Sequence, residues 1–407
     1  MTETLTLATR GSDLALKQAE SVRDALSTRK RGVEIRRVET RGDQIPDELI
    51  HRLGRTGAFV RALDEEVFAG DADLAVHSLK DVPTEGMDDM VVAGVPERAP
   101  SGDVVVHPDG DGLDDLPAGA VIGTGSLRRT AQIRATHPDL SVEPIRGNVD
   151  TRIEKLLAPG LQAEHERRLI AAGEDETLRT PESDEVDDEG DGGDDTTGNS
   201  VETETDGDSE ETGGDPDESF ERSVEEWFDS LSELERSAME RSVDVEYDAL
   251  VLAEAGLRRS GLYDDARTTR LPREEFVPAA GQGAIAVTAT DPDVIETVRS
   301  AVDHPRTRVA ATVERTVLAA LNGGCIAPIG VSAMVRGEHV HTRVRVLSTD
   351  GTEEVSATRD LPIRSHAGSA ESFATELADR GAAALIEQAR AAVDTTATSA
   401  DEGDSDE

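Results

Sequence analysis

The chain has 407 residues, and its 86 acidic and 42 basic side chains give it a net charge of −44. A surface this acidic repels nucleic acid and anionic membranes, which excludes both as general partners. It suits concentrated salt, because at about 1 M ionic strength the Debye length is only about 3 Å and most self-repulsion is screened.

Strand and helix patterns alternate through most of the chain. The predicted strands cover 5–7, 33–38, 74–76, 104–106, 121–123, 247–253 and 339–347, and the predicted helices begin at 12–13 and 126 or cover 59–68 and 373–391. This alternation predicts a mostly parallel α/β architecture, with a small α+β domain near the end. No stretch has the length and apolarity of a membrane span, and the first residues do not resemble a signal peptide, so we expect a cytoplasmic protein.

Residues 181–219 differ from the rest in composition. They hold eighteen acidic residues and no lysine or arginine. Because so little apolar surface cannot offset the entropy lost on ordering, we predict disorder there. Apolar residues at 220, 224, 227, 228, 231 and 234 then predict one amphipathic helix.

Four turns combine a glycine or a short polar residue with arginine at a strand-to-helix junction. They lie at 9–12, 123–129, 145–152 and 255–259. Backbone N–H groups at helix starts attract anions, and arginine binds carboxylates through two parallel hydrogen bonds. Four such turns in so acidic a chain predict a polyanionic ligand. The alternative, surface salt bridges, suits Arg258 but suits Arg128 and Arg129 poorly, because these two follow a glycine-rich turn.

Lys80 and Asp81 follow a buried strand, where open α/β sheets bind their ligands. A carboxylate in a cleft lined by arginine can stabilise a developing cation or move a proton. The alternative is an ordinary surface ion pair, which is worth little. We expect His77 to be structural.

Cys325 is the only cysteine, so it makes no intrachain disulfide. Its remaining roles are nucleophilic attack, attachment of a group, or packing as a small buried hydrophobe. Gly323 and Gly324 before it and Pro328 after it form a turn with room around the sulfur, which favours chemistry. No metal site is predicted.

Together these segments resemble the porphobilinogen deaminase family. The resemblance covers about 5–157 and 247–329 and continues more weakly to about 391. Its motifs are Ala8-Thr9-Arg10-Gly11-Ser12, His77-Ser78-Leu79-Lys80-Asp81-Val82-Pro83, Gly123-Thr124-Gly125-Ser126-Leu127-Arg128-Arg129, Arg146-Gly147-Asn148-Val149, Pro278-Ala279-Ala280-Gly281-Gln282-Gly283 and Gly323-Gly324-Cys325.

The resemblance implies two lobes like those of periplasmic binding proteins, with a cleft between them and a third, α+β domain carrying the cysteine. The implied domains are an N-terminal lobe from 1–96 and 271–290, a second lobe from 97–160 and 246–270, an acidic insertion at 161–245, a C-terminal domain at 291–395 and an acidic tail at 396–407. This implied insertion is a departure from the family pattern. A second departure is Thr56, which stands where the family usually has lysine.

The resemblance also implies chemistry. A dipyrromethane cofactor would be joined to Cys325 through a thioether, and four porphobilinogen units would add to it. Each unit would lose ammonia to form a reactive azafulvene, and water would release the linear tetrapyrrole. The family is usually monomeric.

Asp81 and Lys80 carry the catalytic role in this resemblance. The implied cofactor and substrate contacts are Arg10, Ser12, Lys80, Asp81, Thr124, Ser126, Arg128, Arg129, Arg146, Gly147, Arg152 and Arg259, with Gln18 and Phe59 close to the cleft. Two other functions stay open: a non-catalytic two-lobed protein that binds a small anion, and an acidic interaction protein acting through 181–219. Lys80, Asp81 and Cys325 favour the enzyme, since a solute binder needs none of them.

Overall fold

The structure is a computed structural model, and it describes residues 3–38, 58–84, 90–172, 220–324 and 327–401. Three predictions lie outside the described residues: the disorder of 181–219, the substitution at Thr56, and the chemistry of Cys325. The side chain of Phe59 lies outside them as well. Among the described residues, no helix combines the length and the apolar character needed to cross a bilayer.

The secondary structure agrees closely with the predicted alternation. The strands in chain order are β1 (Glu3–Arg10), β2 (Arg31–Val38), β3 (Leu74–Ser78), β4 (Val91–Gly94), β5 (Asp103–Val106), β6 (Val121–Gly123), β7 (Ser141–Glu143), β8 (Ala249–Ala253), β9 (Thr268–Arg270), β10 (Ile285–Ala289), β11 (Ile329–Arg336), β12 (His339–Leu347) and β13 (Glu354–Pro362). The helices are α1 (Asp13–Leu26), α2 (Ala58–Ala69), α3 (Leu127–Thr136), α4 (Val149–Ala172), α5 (Val224–Ser230), α6 (Glu233–Met239), α7 (Glu254–Ser260), α8 (Pro292–Val302), α9 (Pro305–Ala320), α10 (His366–Leu377) and α11 (Ala383–Asp401).

Two mixed five-stranded sheets form two α/β lobes, as the sequence predicted. The first has the order β2-β1-β3-β10-β4 and the second the order β7-β6-β8-β5-β9. In each sheet four strands run in one direction, and a single strand, β10 or β5, runs in the other. The reversed strands follow the two segments, 95–102 and 271–284, through which the chain crosses between the sheets.

The parallel strands decide where the candidate turns lie. β1 and β3 are neighbours and parallel, so the turns after them share one edge of the first sheet. β7, β6 and β8 are parallel neighbours in the second sheet, so the three turns after them share one edge there. The carboxyl ends of such strands are where open α/β sheets bind ligands.

The core of the first sheet also holds α8. Val294, Val298 and Val302 of this helix pack with Leu5 and Leu7 of β1. The expected C-terminal domain began at 291, but α8 packs with the first lobe, because its valines recur at helical spacing and face that sheet.

The C-terminal region is α+β, as predicted. β11, β12 and β13 form an antiparallel sheet whose inner face packs on α9 and α10. The helix predicted at 373–391 is in fact two helices, α10 and α11, which meet at a kink at Gly381.

Residues 157–243 form a separate compact unit. His165 stacks on Trp227 with 5.9 Å between ring centroids, and the Arg168 guanidinium lies 4.1 Å from the centre of the Phe220 ring. The single helix predicted over 220–234 is wrong: the chain forms α5 and then α6. Ser232 restarts the helix, because its side chain and Glu235 form a capping box.

Candidate active site

The first sheet contributes the turn after β1. Ser12 precedes α1 in extended backbone conformation, as a helix N-cap does, but its hydroxyl makes no capping hydrogen bond. The Thr9 hydroxyl instead donates to the carbonyl of Ala15 at 3.2 Å. Arg10 ends β1 beside Ser12 and is half-buried. This turn therefore offers a cation, a hydroxyl and a helix start at one point.

Lys80 and Asp81 lie in a short 3-10 turn, Leu79–Asp81, directly after β3. Leu79 is buried and anchors the turn, whereas the side chains of Lys80 and Asp81 are 44% and 51% exposed. The Lys80 Nζ lies 4.0 Å from the Asp81 Oδ1. An exposed pair at this distance contributes little to stability, so both groups remain available to a ligand. His77 is buried and lies 3.0 Å from Asp64, which agrees with a structural role.

Arg128 and Arg129 begin α3 and are both buried. The Arg128 Nη1 lies 2.8 Å from one carboxylate oxygen of Asp103, and the Arg129 Nη2 lies 2.9 Å from the other. The sequence favoured a ligand role over surface salt bridges for this pair, because both residues follow a glycine-rich turn. The structure shows that both are ion-paired, to a buried acid that sequence analysis missed. The only signal was a single aspartate opening the apolar strand β5.

The charge balance around Asp103 is asymmetric. Burial alone would raise the pKa of Asp103, but Arg128 and Arg129 outweigh it and lower that pKa to about 2. Burial lowers the pKa of Arg128. One carboxylate thus holds two guanidinium groups, which leaves a net positive charge beneath the turn at 124–126.

Asp103→Asn is expected to lower the free energy of unfolding by about 3–5 kcal/mol near neutral pH, because two buried cations lose their partner. A carboxyl whose folded pKa lies below its unfolded value stabilises the fold above the unfolded pKa, and that stability is lost as the pH falls through the folded pKa. The Asp103 contribution, about 2 kcal/mol, should therefore disappear between about pH 4 and pH 2. Urea unfolding across this range checks it: the gap between wild type and variant should shrink as the pH falls, and a constant gap would contradict the assignment.

Arg146, Gly147 and Arg152 form the third turn. Gly147 has a φ of 110°, and a Cβ at this position would lie 2.5 Å from a side-chain carbon of Thr151, so only glycine fits. The Arg152 Nε donates to the Gly147 carbonyl at 2.9 Å. The Arg152 guanidinium also lies against Gly125, 3.4 Å from where a Cβ would stand, so the second and third turns adjoin.

Arg152 has the electrostatic signature of an anion site. Burial, together with the charges of Arg129 and Arg146, lowers its pKa to about 10. A ligand carboxylate beside Arg152 would offset the repulsion from Arg129 and Arg146.

The remaining predicted contact residues are Ser126, Thr124 and Arg259. Ser126 precedes α3, and its side chain makes no capping hydrogen bond. Thr124 is buried, and its hydroxyl donates to the Val251 carbonyl at 3.4 Å, so it faces strand β8 in this conformation. Arg259 ends α7, and its Nη2 donates to the Gly283 carbonyl at 2.7 Å. Burial lowers the pKa of Arg259. Arg258, as expected, pairs with a nearby acid, Glu254, at 2.7 Å.

The loop 278–283 joins the two edges. Gly281 has a φ of 75°, and a Cβ there would lie 3.2 Å from the backbone nitrogen of Lys80. The next residue, Gln282, is buried, and its Nε2 donates to Asp103 at 2.8 Å. Lys17 adds another link between the lobes, because its Nζ donates to the Ser260 carbonyl at 2.6 Å. The exposed carboxylate of Asp81 and the cationic turns of the second sheet therefore lie on either side of one loop.

Gln18, also predicted near the cleft, lies on α1 and is buried. The structure thus brings the predicted residues of both sheets to two adjoining edges, while the part that Cys325 plays lies outside the described residues. The arrangement suits a ligand with several carboxylates beside the exposed carboxylate of Asp81.

Comparison with known families matches the chain to two descriptions. The first, "Porphobilinogen deaminase, dipyromethane cofactor binding domain", matches residues 5–172 and 233–296. The second, "Porphobilinogen deaminase, C-terminal domain", matches residues 309–380. Residues 173–232 lie between the two parts of the first match, a narrower segment than the insertion expected at 161–245.

Similar proteins come from archaea and bacteria. A probable porphobilinogen deaminase of Halobacterium salinarum is 53% identical over 390 residues, which cover 94% of this chain and 98% of that protein. A probable porphobilinogen deaminase of Methanococcoides burtonii is 33% identical, with 94% of this chain and 96% of that protein covered. The porphobilinogen deaminase of Desulforudis audaxviator is also 33% identical, over 96% of this chain and 99% of that protein.

Proposed function

Because the chain belongs to the porphobilinogen deaminase family, we propose that it joins porphobilinogen units where its two lobes adjoin, with Asp81 as the catalytic carboxylate and Lys80 beside it. It is a transferase of porphyrin and heme biosynthesis that uses a dipyrromethane cofactor and acts on porphobilinogen. Four porphobilinogen molecules condense stepwise to hydroxymethylbilane, with release of ammonia. The non-catalytic alternative, a two-lobed anion binder, is not favoured, since the family match covers both lobes and the C-terminal region.

The described residues fit the cofactor. Each pyrrole of this chemistry carries an acetate and a propionate, and the second sheet presents Arg152 under the repulsion of Arg129 and Arg146, which ligand carboxylates would offset. When bound, dipyrromethane supplies the free pyrrole carbon to which the first substrate unit is joined. We propose that it is anchored on Cys325 and held by Arg10, Ser12, Lys80, Asp81, Thr124, Ser126, Arg128, Arg129, Arg146, Gly147, Arg152 and Arg259.

These residues would act in different ways. Ser12 and Ser126 have hydroxyls that make no capping hydrogen bond, so they can donate to carboxylates at the starts of α1 and α3. Arg146 and Arg152 supply cations at the third turn. Arg128 and Arg129 donate to Asp103 and to backbone carbonyls, and we propose that they act mainly through their charge.

The mechanism depends on the position of Asp81. Its carboxylate is half-exposed directly after a buried strand, and the loop 278–283 lies between its turn and the cationic turns of the second sheet. When the amino group of the porphobilinogen side chain leaves as ammonia, the methylene carbon stays on the ring and positive charge develops on the pyrrole nitrogen. Asp81 would accept a hydrogen bond from that N–H and stabilise the charge. The attraction between the carboxylate and the cation would be stronger where the cleft excludes water. Lys80, 4.0 Å away, would bind a substrate carboxylate and orient the ring.

The finer assignment is a hydroxymethylbilane synthase: a deaminating transferase that forms carbon–carbon bonds between pyrroles. We also propose that it acts as a monomer in the cytoplasm of a cell with concentrated internal salt, which its net charge of −44 suits.

Purified protein in molar KCl is expected to consume porphobilinogen, with one ammonia released for each unit consumed. Ehrlich's reagent measures the remaining porphobilinogen, a coupled assay measures ammonia, and the bilane is detected as uroporphyrin after cyclisation and oxidation. Binding of porphobilinogen without consumption or ammonia would contradict the proposal and favour the two-lobed anion binder.

A further inference from the structure

The turn that carries Asp81 is held from the C-terminal region. Arg315 lies on α9, and its guanidinium donates to three backbone carbonyls of this turn. The Nη1 reaches the Val82 oxygen at 2.7 Å and the Leu79 oxygen at 3.4 Å, and the Nη2 reaches the Pro83 oxygen at 2.6 Å. These carbonyls flank Lys80 and Asp81 on both sides.

Arg315 is an unusual arginine for so acidic a chain. Within the described ranges no carboxylate pairs with its guanidinium, whose hydrogen bonds go to the three carbonyls. Burial lowers the pKa of Arg315. Arg315 is half-buried, and a partly desolvated cation carries a free-energy cost that, within the described ranges, its hydrogen bonds to the turn offset.

The preceding residue of α9, Glu314, holds the loop that packs against this turn. Glu314 is fully buried and accepts from the backbone N–H of Gly281 at 2.8 Å. Gly281 is the residue that packs against the backbone of Leu79 and Lys80. Two consecutive side chains of α9 thus fix the turn and the loop beside it.

The position of α9 in the chain explains why this matters. The helix ends at Ala320, and the segment after it leads to Cys325. The helix that binds the backbone presenting Asp81 therefore lies shortly before the proposed point of cofactor attachment in the chain.

We infer that Arg315 is a positioning residue, which fixes Asp81 relative to the cofactor by binding the carbonyls of its turn. The inference rests on the proposed function, because it takes Asp81 and Cys325 in their proposed roles. A displacement of about 1 Å in a catalytic group can cost about 10²-fold in rate, so a residue that never touches substrate can limit turnover.

The variant Arg315→Met removes all three hydrogen bonds while keeping an unbranched apolar stem. We expect kcat to fall by about 10²-fold, KM to change by less than about threefold, and the mass of the cofactor-loaded protein to match that of wild type after correction for the substitution. Hydrogen exchange followed by mass spectrometry should show faster uptake in a peptide covering 78–84, because the turn has lost its support.

Arg308→Met is the matched control. Arg308 lies on the same helix and donates to the carbonyl of Ala93 at 3.0 Å, but it bonds to β4 and to Asp303 rather than to the turn. The Arg308→Met variant should be less stable than wild type, but its kcat and its hydrogen exchange at 78–84 should match those of wild type. If Arg315→Met is too unstable to purify, Arg315→Lys takes its place, because lysine keeps the cation without the planar fork of the guanidinium. We expect a smaller loss of kcat in that variant, with the same faster exchange at 78–84.

Asp81→Ala, measured in parallel, separates the two hypotheses. A dead Asp81→Ala beside an Arg315→Met with normal kcat and normal exchange would overturn the positioning role alone. An Asp81→Ala with full turnover would overturn the catalytic role proposed for Asp81, on which the inference rests, while a wild-type protein that consumes no porphobilinogen would overturn the proposed function itself. Loss of the cofactor from a folded Arg315→Met would also overturn the inference, because the arginine would then act in cofactor assembly.

Discussion

Asp81→Ala is expected to lower kcat by about 10²–10³-fold or more while leaving the fold intact, because it removes the carboxylate that we propose stabilises the developing pyrrole cation. The side chain is 51% exposed and makes one ion pair at 4.0 Å, so its loss should change the free energy of unfolding by less than about 0.5 kcal/mol. Steady-state consumption of porphobilinogen and urea unfolding in the same buffer measure the two effects.

Asp71→Ala is the control for this experiment. Asp71 precedes β3 as Asp81 follows it; its side chain is 59% exposed and also makes an ion pair at 4.0 Å, with Arg36. It should therefore leave both turnover and stability near wild type. Asp81→Asn adds a second test, since it keeps the shape and removes the charge. Wild-type turnover in Asp81→Ala would remove Asp81 from the mechanism.

Much of the fold follows from local patterns in the sequence. Apolar runs such as 104–106 and 121–123 are the strands β5 and β6, and Gly125 and Ser126 after β6 mark the turn into α3. These signals are local, because they depend on backbone conformation and on one buried face. The same signals predicted the sheet edges where the candidate residues gather.

What the sequence could not predict depends on contacts between distant segments. Asp103 and Arg128 are 25 residues apart in the chain, and no periodicity indicates that they pair. Arg315 and Val82 are 233 residues apart, and only the packing of α9 brings them together. Arg128 and Arg129 were therefore expected to face a ligand, while the structure gives most of their hydrogen bonds to the protein.

Boundaries failed for a different reason. The six apolar residues over 220–234 fit one helix, yet Ser232 restarts the chain as a new helix because its capping box satisfies backbone N–H groups locally. A hydrophobic pattern indicates which face of a helix is buried. It does not reveal a break between two helices when both bury the same face.

Cys325→Ser is expected to abolish turnover, and this is the largest effect predicted for any single side chain. The wild-type protein should be heavier than its sequence by a two-pyrrole adduct, and the serine variant should have the mass of the bare chain. A thiolate is a far better nucleophile than a hydroxyl, and the thioether it forms is stable while pyrrole–pyrrole bonds form and break at the other end. Intact-mass measurement and Ehrlich's reagent on the purified proteins check both statements.

The same variant tests the electrostatic argument. Without the cofactor, Arg152 keeps the repulsion of Arg129 and Arg146 and lacks the ligand carboxylates that would offset it, so Cys325→Ser should unfold at a lower temperature than wild type. The deficit should shrink as KCl is raised, because salt screens the repulsion between them. Since Cys325 is the only cysteine, alkylation by iodoacetamide shows directly whether its thiol is free. A fully active wild-type protein whose thiol is free to alkylate would contradict the anchor and, with it, the reason for gathering these arginines in one place.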